Sequence, residues 1–231
     1  MATNVYETVV AAGGKQILFF PARFDIPEVQ AIDGYAYWLA VQRYNHDTGA
    51  RVIPSVSTDA QGAWWGGRGG GTIPHALIAA FLSDTAEAMV VFAETMPVNV
   101  PRIALVDFNN DAVGDSLSTL AAFWPRYRDA LRAGDDEGMR RWTLNGVRLD
   151  TSYGIRDQSL GPDDPTGVNE VLVSKARAAL DEAWTTWGVE DDEVEAARVY
   201  CRNVKIAVTG GFDRERIRKF EQDDVPVDIY G

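Results

Sequence analysis

The sequence predicts an α/β fold built on parallel strands. Three observations carry that expectation. Short apolar runs alternate with longer stretches of helical periodicity along most of the 231 residues. One run, RIALVDF (102–108), is almost continuously apolar, as a strand covered on both faces must be. Several runs end in Asp, Asn, Thr or Gly, the residues that hand a parallel strand over to a loop. Doubly wound sheets and barrels both satisfy this pattern.

In order along the chain, residues 4–12 read as helix and QILFF (16–20) as strand. Residues 27–44 read as helix, with Pro27 in the first turn, where a missing N–H costs nothing. RVIPSV (51–56) is a weaker strand, and His46 falls in the loop before it. A glycine-rich loop leads to helical periodicity from 74 to about 94, with a break near Ser83–Asp84. RIALVDF is followed by a helix over 115–133, in which Pro125 predicts a kink or a break. NGVRLD (145–150) is strand-like, and GPDDPTG (161–167) is a surface loop. Helices over 169–184 and 192–200 precede the strand VKIAVTGG (204–211), a helix over 213–223 and a last strand, VPVDIYG.

The bulk numbers narrow the function classes. With 34 acidic and 22 basic residues the formal charge is −12, which disfavours nucleic acid and anionic membranes as partners. An anionic substrate would need a locally positive pocket, so individual arginines matter more than the sum. The single cysteine, Cys201, cannot form an internal disulfide, and a reducing, cytoplasmic compartment fits. The first residues lack the basic and apolar regions of a signal peptide, and no apolar run is long enough to span a bilayer.

Polar residues gather at the predicted strand exits: Asp107, Asn109, Asn110 and Asp111 after one strand, Arg148, Asp150, Thr151 and Ser152 after another, Thr209, Gly210 and Gly211 after a third. In parallel α/β folds ligands bind at the carboxyl ends of the strands. Each exit also has a plain reading. Asp107 serves as well as a helix N-cap, and Asp111 as a loop acid. Arg148 and Asp150, two apart on a strand, point the same way and suit either an ion pair or a pocket. Gly210 and Gly211 suit an ordinary turn and a phosphate-holding amide nest equally.

The stretch WWGGRGGGTIPHAL (64–77) places His75 in a first helical turn. Pro74 is expected at the first helical position, with Thr72 or Ile73 near the cap. The positive end of the helix would disfavour imidazolium and favour an attached phosphate. A plain capping-region histidine is the commoner case for this pattern. The glycine run is no Walker A loop, because it lacks the Gly-Lys-Ser/Thr ending. Trp64 and Trp65 either pack in the core, which is the expectation, or wall a ligand pocket.

Taken together, GTIPHALIAAF, RIALVDFNND, GVRLDTS and VTGGFD…FEQDDVPVDIYG, in this order and spacing, resemble the nicotinate phosphoribosyltransferases. The resemblance extends over nearly the whole chain. It implies a type II phosphoribosyltransferase whose core is an irregular, TIM-like α/β barrel, here a single core over residues 1–231. The family is longer at both ends, so an incomplete barrel is expected. The implied reaction joins nicotinate to phosphoribosyl pyrophosphate, with ATP hydrolysis coupled through a phosphohistidine, with magnesium, in a homodimer. Carried over residue by residue, His75 stands at the phosphorylated histidine. Asp107 orients it or the ribose, and Asp150 meets ribose hydroxyls or magnesium. Arg148 lies on the nicotinate side, Thr209 lies beside the glycine turn Gly210–Gly211 that holds the 5′-phosphate, and Arg23, Arg68 and Thr72 are further contacts. Quinolinate or nicotinamide phosphoribosyl transfer, and a non-catalytic fragment binding phosphorylated ligands, remain as alternatives.

Overall fold

The structure, a computed structural model, describes residues 2–19, 21 and 25–231. The elements begin with α1 (Ala2–Ala11), β1 (Gln16–Phe19), α2 (Pro27–Thr48), β2 (Ser55–Val56) and α3 (Asp59–Gly62). Next come α4 (His75–Ala80), α5 (Thr85–Thr95), β3 (Ile103–Leu105), α6 (Ala112–Ala133), α7 (Asp136–Arg141) and β4 (Gly146–Leu149). The chain continues through α8 (Glu170–Glu182), a 3₁₀ turn (Ala183–Thr186), α9 (Val194–Arg202), β5 (Lys205–Val208), α10 (Arg214–Gln222) and β6 (Ile229–Tyr230). Every strand pair is parallel, as the alternation predicts. No helix among the described residues is long and apolar enough to cross a membrane.

Two compact units form, one from residues 1–72 with 211–231 and one from 73–210. In the first, β1 pairs with β2 on one side (Leu18↔Ser55) and with β6 on the other (Gln16↔Ile229). The buried cluster Val9, Tyr37, Val41, Tyr44 and Val56 holds α1 and α2 against these strands. Tyr37 belongs to the core and to the sheet at once. Its hydroxyl donates to the Ile17 carbonyl at 2.7 Å and accepts the Ser55 N–H at 3.1 Å, so it stitches β1 to β2. Burial pushes its pKa up to about 12. Gly34 is required on α2, because a Cβ there would lie 2.0 Å from the Gln61 carbonyl of α3.

Several sequence expectations change here. The strand expected over 51–56 shrinks to Ser55–Val56, since Pro54 cannot donate to a ladder. Helix α2 continues to Thr48 and stops at left-handed Gly49, which places His46 in its last turn instead of a loop. The tryptophan pair divides. Trp65 packs on the cluster and stacks on Trp38, whereas Trp64 is 58% exposed. Helix α3, opened by a Thr58–Gln61 capping box, had no periodic signal because it is four residues long.

In the second unit, β3, β4 and β5 lie side by side, with Leu105↔Arg148 and Arg148↔Ala207 in register. All four β4 residues are buried, and Val106 and Val208 extend the covered band. Helix α6 runs unbroken through Pro125, so the break, one of the two outcomes expected there, does not occur. Leu120, Phe123 and Trp124 are buried around the proline, and Trp124 stacks on Trp187, so packing sustains the helix where local bonding is lost. Helix α7 was missed as well; Asp135 caps it, taking the N–H groups of Glu137 and Gly138.

The strands' entry end is closed by Arg102, which is 0% exposed. Its NH1 donates to the carbonyls of Pro97 (2.9 Å) and Val100, and its NH2 to those of Ala93 (3.1 Å) and Met96 (3.0 Å). These groups lie at and just beyond the C-terminus of α5, where a helix presents unpaired carbonyls and negative potential. Burial and the neighbouring Arg141 hold the Arg102 pKa below its ordinary value.

Candidate active site at the exit ends of β3, β4 and β5

Because β3, β4 and β5 are parallel, their exits share one side, and the chemically distinctive side chains of the second unit gather there. Helix α4 begins at His75. Pro74 is its N-cap, with extended backbone (φ −89°, ψ 155°), and no side chain caps the helix. This corrects the expected first-turn proline: the helix starts one residue later, and the Pro74 carbonyl takes the Leu77 N–H at 3.0 Å. The helix ends early because Leu82 and Ser83 are left-handed, which confirms the expected break.

His75 Nε2 lies 3.1 Å from Asp107 Oδ2. The histidine side chain is 45% exposed and the aspartate 6%. Burial raises the Asp107 pKa above its ordinary value; the His75 contact opposes that shift and the charge of Asp150 adds to it. The second carboxylate oxygen, Oδ1, is buried with no hydrogen-bond partner. The capping role weighed for Asp107 belongs to Asp111, whose side chain takes the Gly114 N–H at 2.9 Å. Asp157 supports the same helix start by accepting the Ala112 N–H at 2.8 Å.

Beside this pair lies a second network. Arg148 NH1 is 3.1 Å from both Asp150 Oδ2 and Thr209 Oγ1, and its NH2 donates to the Ile73 carbonyl at 2.7 Å. Thr209 Oγ1 in turn donates to Asp150 Oδ1 at 2.5 Å. Arg148 and Asp150 thus form an ion pair across two positions, as their common direction allows. The side chains are 7% and 16% exposed. Thr151, named among the polar residues at this exit but given no role there, adds a buried hydroxyl without a partner. A run of Asp-Thr at a strand exit was the available signal, but nothing local says which hydroxyl will be left unpaired.

Gly210 adopts φ +99°, and a Cβ there would approach Asp150 Oδ1 and the Thr151 carbonyl at 3.8 and 3.9 Å. Gly211 is also left-handed (φ +77°). Downstream, Asp213 caps α10 through the Arg216 N–H at 2.9 Å, so a carboxylate already occupies that helix start. Of the other expected contacts, Arg23 lies outside the described residues. Arg68 and Thr72 are exposed in the first unit, where Arg68 stands 3.9 Å from Asp59. A groove of about 650 Å³ in that unit, beside Glu7, Arg214, Arg218 and Glu221, carries none of this chemistry, and Arg214 is paired there with Glu7.

This parallel α/β architecture is the fold of the type II phosphoribosyltransferases. Over its whole length the chain matches a nicotinate-nucleotide pyrophosphorylase from Pyrococcus furiosus, with a TM-score of 0.64, 25% identity and 44% of that chain covered. It also matches human nicotinic acid phosphoribosyltransferase, with a TM-score of 0.51, 15% identity and 46% of that chain covered. The chain therefore spans less than half the length of these two proteins. No protein-family model and no curated protein matches it.

Proposed function

We propose that this chain carries the phosphoryl- and ribose-handling site of a nicotinate phosphoribosyltransferase. In this reading nicotinate and phosphoribosyl pyrophosphate give nicotinate mononucleotide and pyrophosphate, with ATP as co-substrate. The observation that carries it is the Asp107–His75 pair at the exit of β3, beside the Arg148–Asp150–Thr209 network, in a fold shared with two proteins of nicotinate chemistry.

The chemistry follows from the contacts. Ionised Asp107 accepts from Nε2–H, which leaves the lone pair on Nδ1. Among the described residues Nδ1 has no hydrogen-bond partner. Nδ1 attacks the γ-phosphorus of ATP, ADP leaves, and Asp107 offsets the positive charge on the phosphorylated ring. Water later hydrolyses the phosphoimidazole. At the anomeric carbon the transferring ribosyl group develops positive charge, which Asp107 and Asp150 favour. Arg148 offsets the nicotinate carboxylate, so an acidic protein can hold an anionic substrate. Gly210 and Gly211 leave room for the 5′-phosphate.

The described residues hold no cluster of three metal-ligating side chains. They fit a magnesium ion carried mainly on substrate phosphates, with the unpartnered Asp107 Oδ1 as its protein contact. When bound, that ion would neutralise departing pyrophosphate.

The test is to incubate the protein with nicotinate, phosphoribosyl pyrophosphate, magnesium and γ-labelled ATP. Nicotinate mononucleotide should form, and acid-labile label should attach to the protein but not to His75→Ala. Unlabelled protein with full turnover would remove the phosphohistidine. The better match to the pyrophosphorylase favours a second reading, phosphoribosyl transfer to a related pyridine acid without ATP. Product from quinolinate in the absence of ATP would establish it.

A further inference from the structure

Helix α4 is poorly equipped to place its own histidine. It has six residues, no side-chain cap and a left-handed exit. So short a helix has little stability of its own. Side chains from strand exits hold its ends instead. Asn109 Nδ2 donates to the Ser83 carbonyl at 2.9 Å beyond the C-terminus. At the other end, Arg148 NH2 donates to the Ile73 carbonyl, two residues before His75 and 75 residues away from Arg148 in sequence.

We propose that Arg148 is a positioning residue for His75, acting through the Ile73 carbonyl. The guanidinium is fixed before it reaches Ile73. Asp150 and Thr209 engage NH1, and Thr209 is itself anchored by its N–H to the Leu149 carbonyl at 2.9 Å. The planar fork then extends NH2 to Ile73 from the β4–β5 framework. Pro74 follows with its restricted φ, so the position of the Ile73 carbonyl carries over directly to the first residue of α4. The brace therefore sets whether Nε2 meets Asp107, and with it which imidazole nitrogen keeps the lone pair. Lysine cannot replace it: one ammonium reaches Asp150 or Ile73 but does not present two directed edges. The consequence for turnover rests on the nucleophilic role proposed for His75; the placement of the ring does not.

The ring nitrogen that carries the proton can be read directly. The chain has two histidines, so a His46→Gln background leaves His75 alone in a long-range ¹H–¹⁵N spectrum. In alkaline buffer the parent should show the Nε2–H form. Arg148→Lys should shift the signals to the mixed tautomers of a free imidazole, and Thr209→Val should shift them part of the way. Thermal melts establish that both variants fold. An unlocked ring in the parent, or a locked one in folded Arg148→Lys, overturns the proposal. If Arg148→Lys does not fold, an unchanged spectrum in Thr209→Val overturns it. No substrate is present, so a protein that makes no nicotinate mononucleotide leaves this result standing and fails the functional reading alone.

Discussion

The two ends of β3, β4 and β5 each bury an arginine, and the two arginines are used differently. At the entry end Arg102 directs four of its five N–H groups at backbone carbonyls, with no carboxylate partner. At the exit end Arg148 faces a carboxylate, a hydroxyl and one carbonyl, among groups left unfinished: Asp107 Oδ1, the Thr151 hydroxyl and an exposed imidazole. Unpaired buried polar atoms cost stability wherever they lie, the Arg102 Nε at the entry end included. What separates the ends is the kind of partner: backbone carbonyls at the entry end, which supports helix packing, and carboxylates and hydroxyls beside an accessible imidazole at the exit end, where the proposed chemistry is placed.

The strongest way to break this comparison is His75→Ala. Turnover should fall about 10³-fold or more, as for loss of an attacking group. Because His75 is half exposed, urea unfolding should move by no more than about 0.5 kcal/mol. A stability loss of several kcal/mol would mean the exit end is structural after all. Arg102→Ala is the mirror experiment. It strands carbonyls at the end of α5, and the unfolding free energy should drop by about 3–4 kcal/mol. An Arg102 variant of native stability would show that these carbonyls have other partners.

Asp107→Asn sharpens the contrast through pH. Turnover should fall about 10²-fold, since the amide no longer selects the tautomer of His75. Stability should change in the opposite sense. The folded-state pKa of Asp107 is raised, so the folded protein holds this proton more tightly than the unfolded chain. The stability from that proton is complete below the ordinary value of 3.8 and is lost as pH rises through the raised folded value. The Asn variant should therefore be more stable than the parent near pH 7, and the gap should close toward pH 4. A variant that is less stable at pH 7 would contradict the burial argument. For the same reason the parent's activity should fall on the acid side, with a limb above pH 3.8.

The smallest effect is expected for Thr151→Val. Removing an unpartnered buried hydroxyl should leave stability unchanged or raise it by about 1 kcal/mol. KM for phosphoribosyl pyrophosphate should rise a few-fold if the hydroxyl meets substrate. A clear loss of stability would show that Thr151 has a partner in solution.

Much of the fold was legible because its signals are local. The apolar runs of β3, β4 and β5, the break at Ser83–Asp84 and the long amphipathic helices all follow from spacing over a few residues. The failures have local causes too. Pro74 ended outside the helix, Pro125 stayed inside one, and α3 and α7 were too short to show a period. The exit-end chemistry was legible as a set of residue types. The entry end was not, because Arg102 at the head of an apolar run reads as a solvated flank.

The sequence by itself determined the alternation of strand and helix, the burial of the central strands and the gathering of His75, Asp107, Arg148, Asp150 and Thr209 at helix starts or strand exits. Only the tertiary structure decided which of these touch. His75 meets Asp107 across 32 residues, and Arg148 meets Ile73 across 75. It also decided that one buried arginine would close an end and the other would brace a histidine. Periodicity reports which face of an element is covered. A hydrogen bond between distant residues depends on register and on a carbonyl's direction, and neither is written in local spacing.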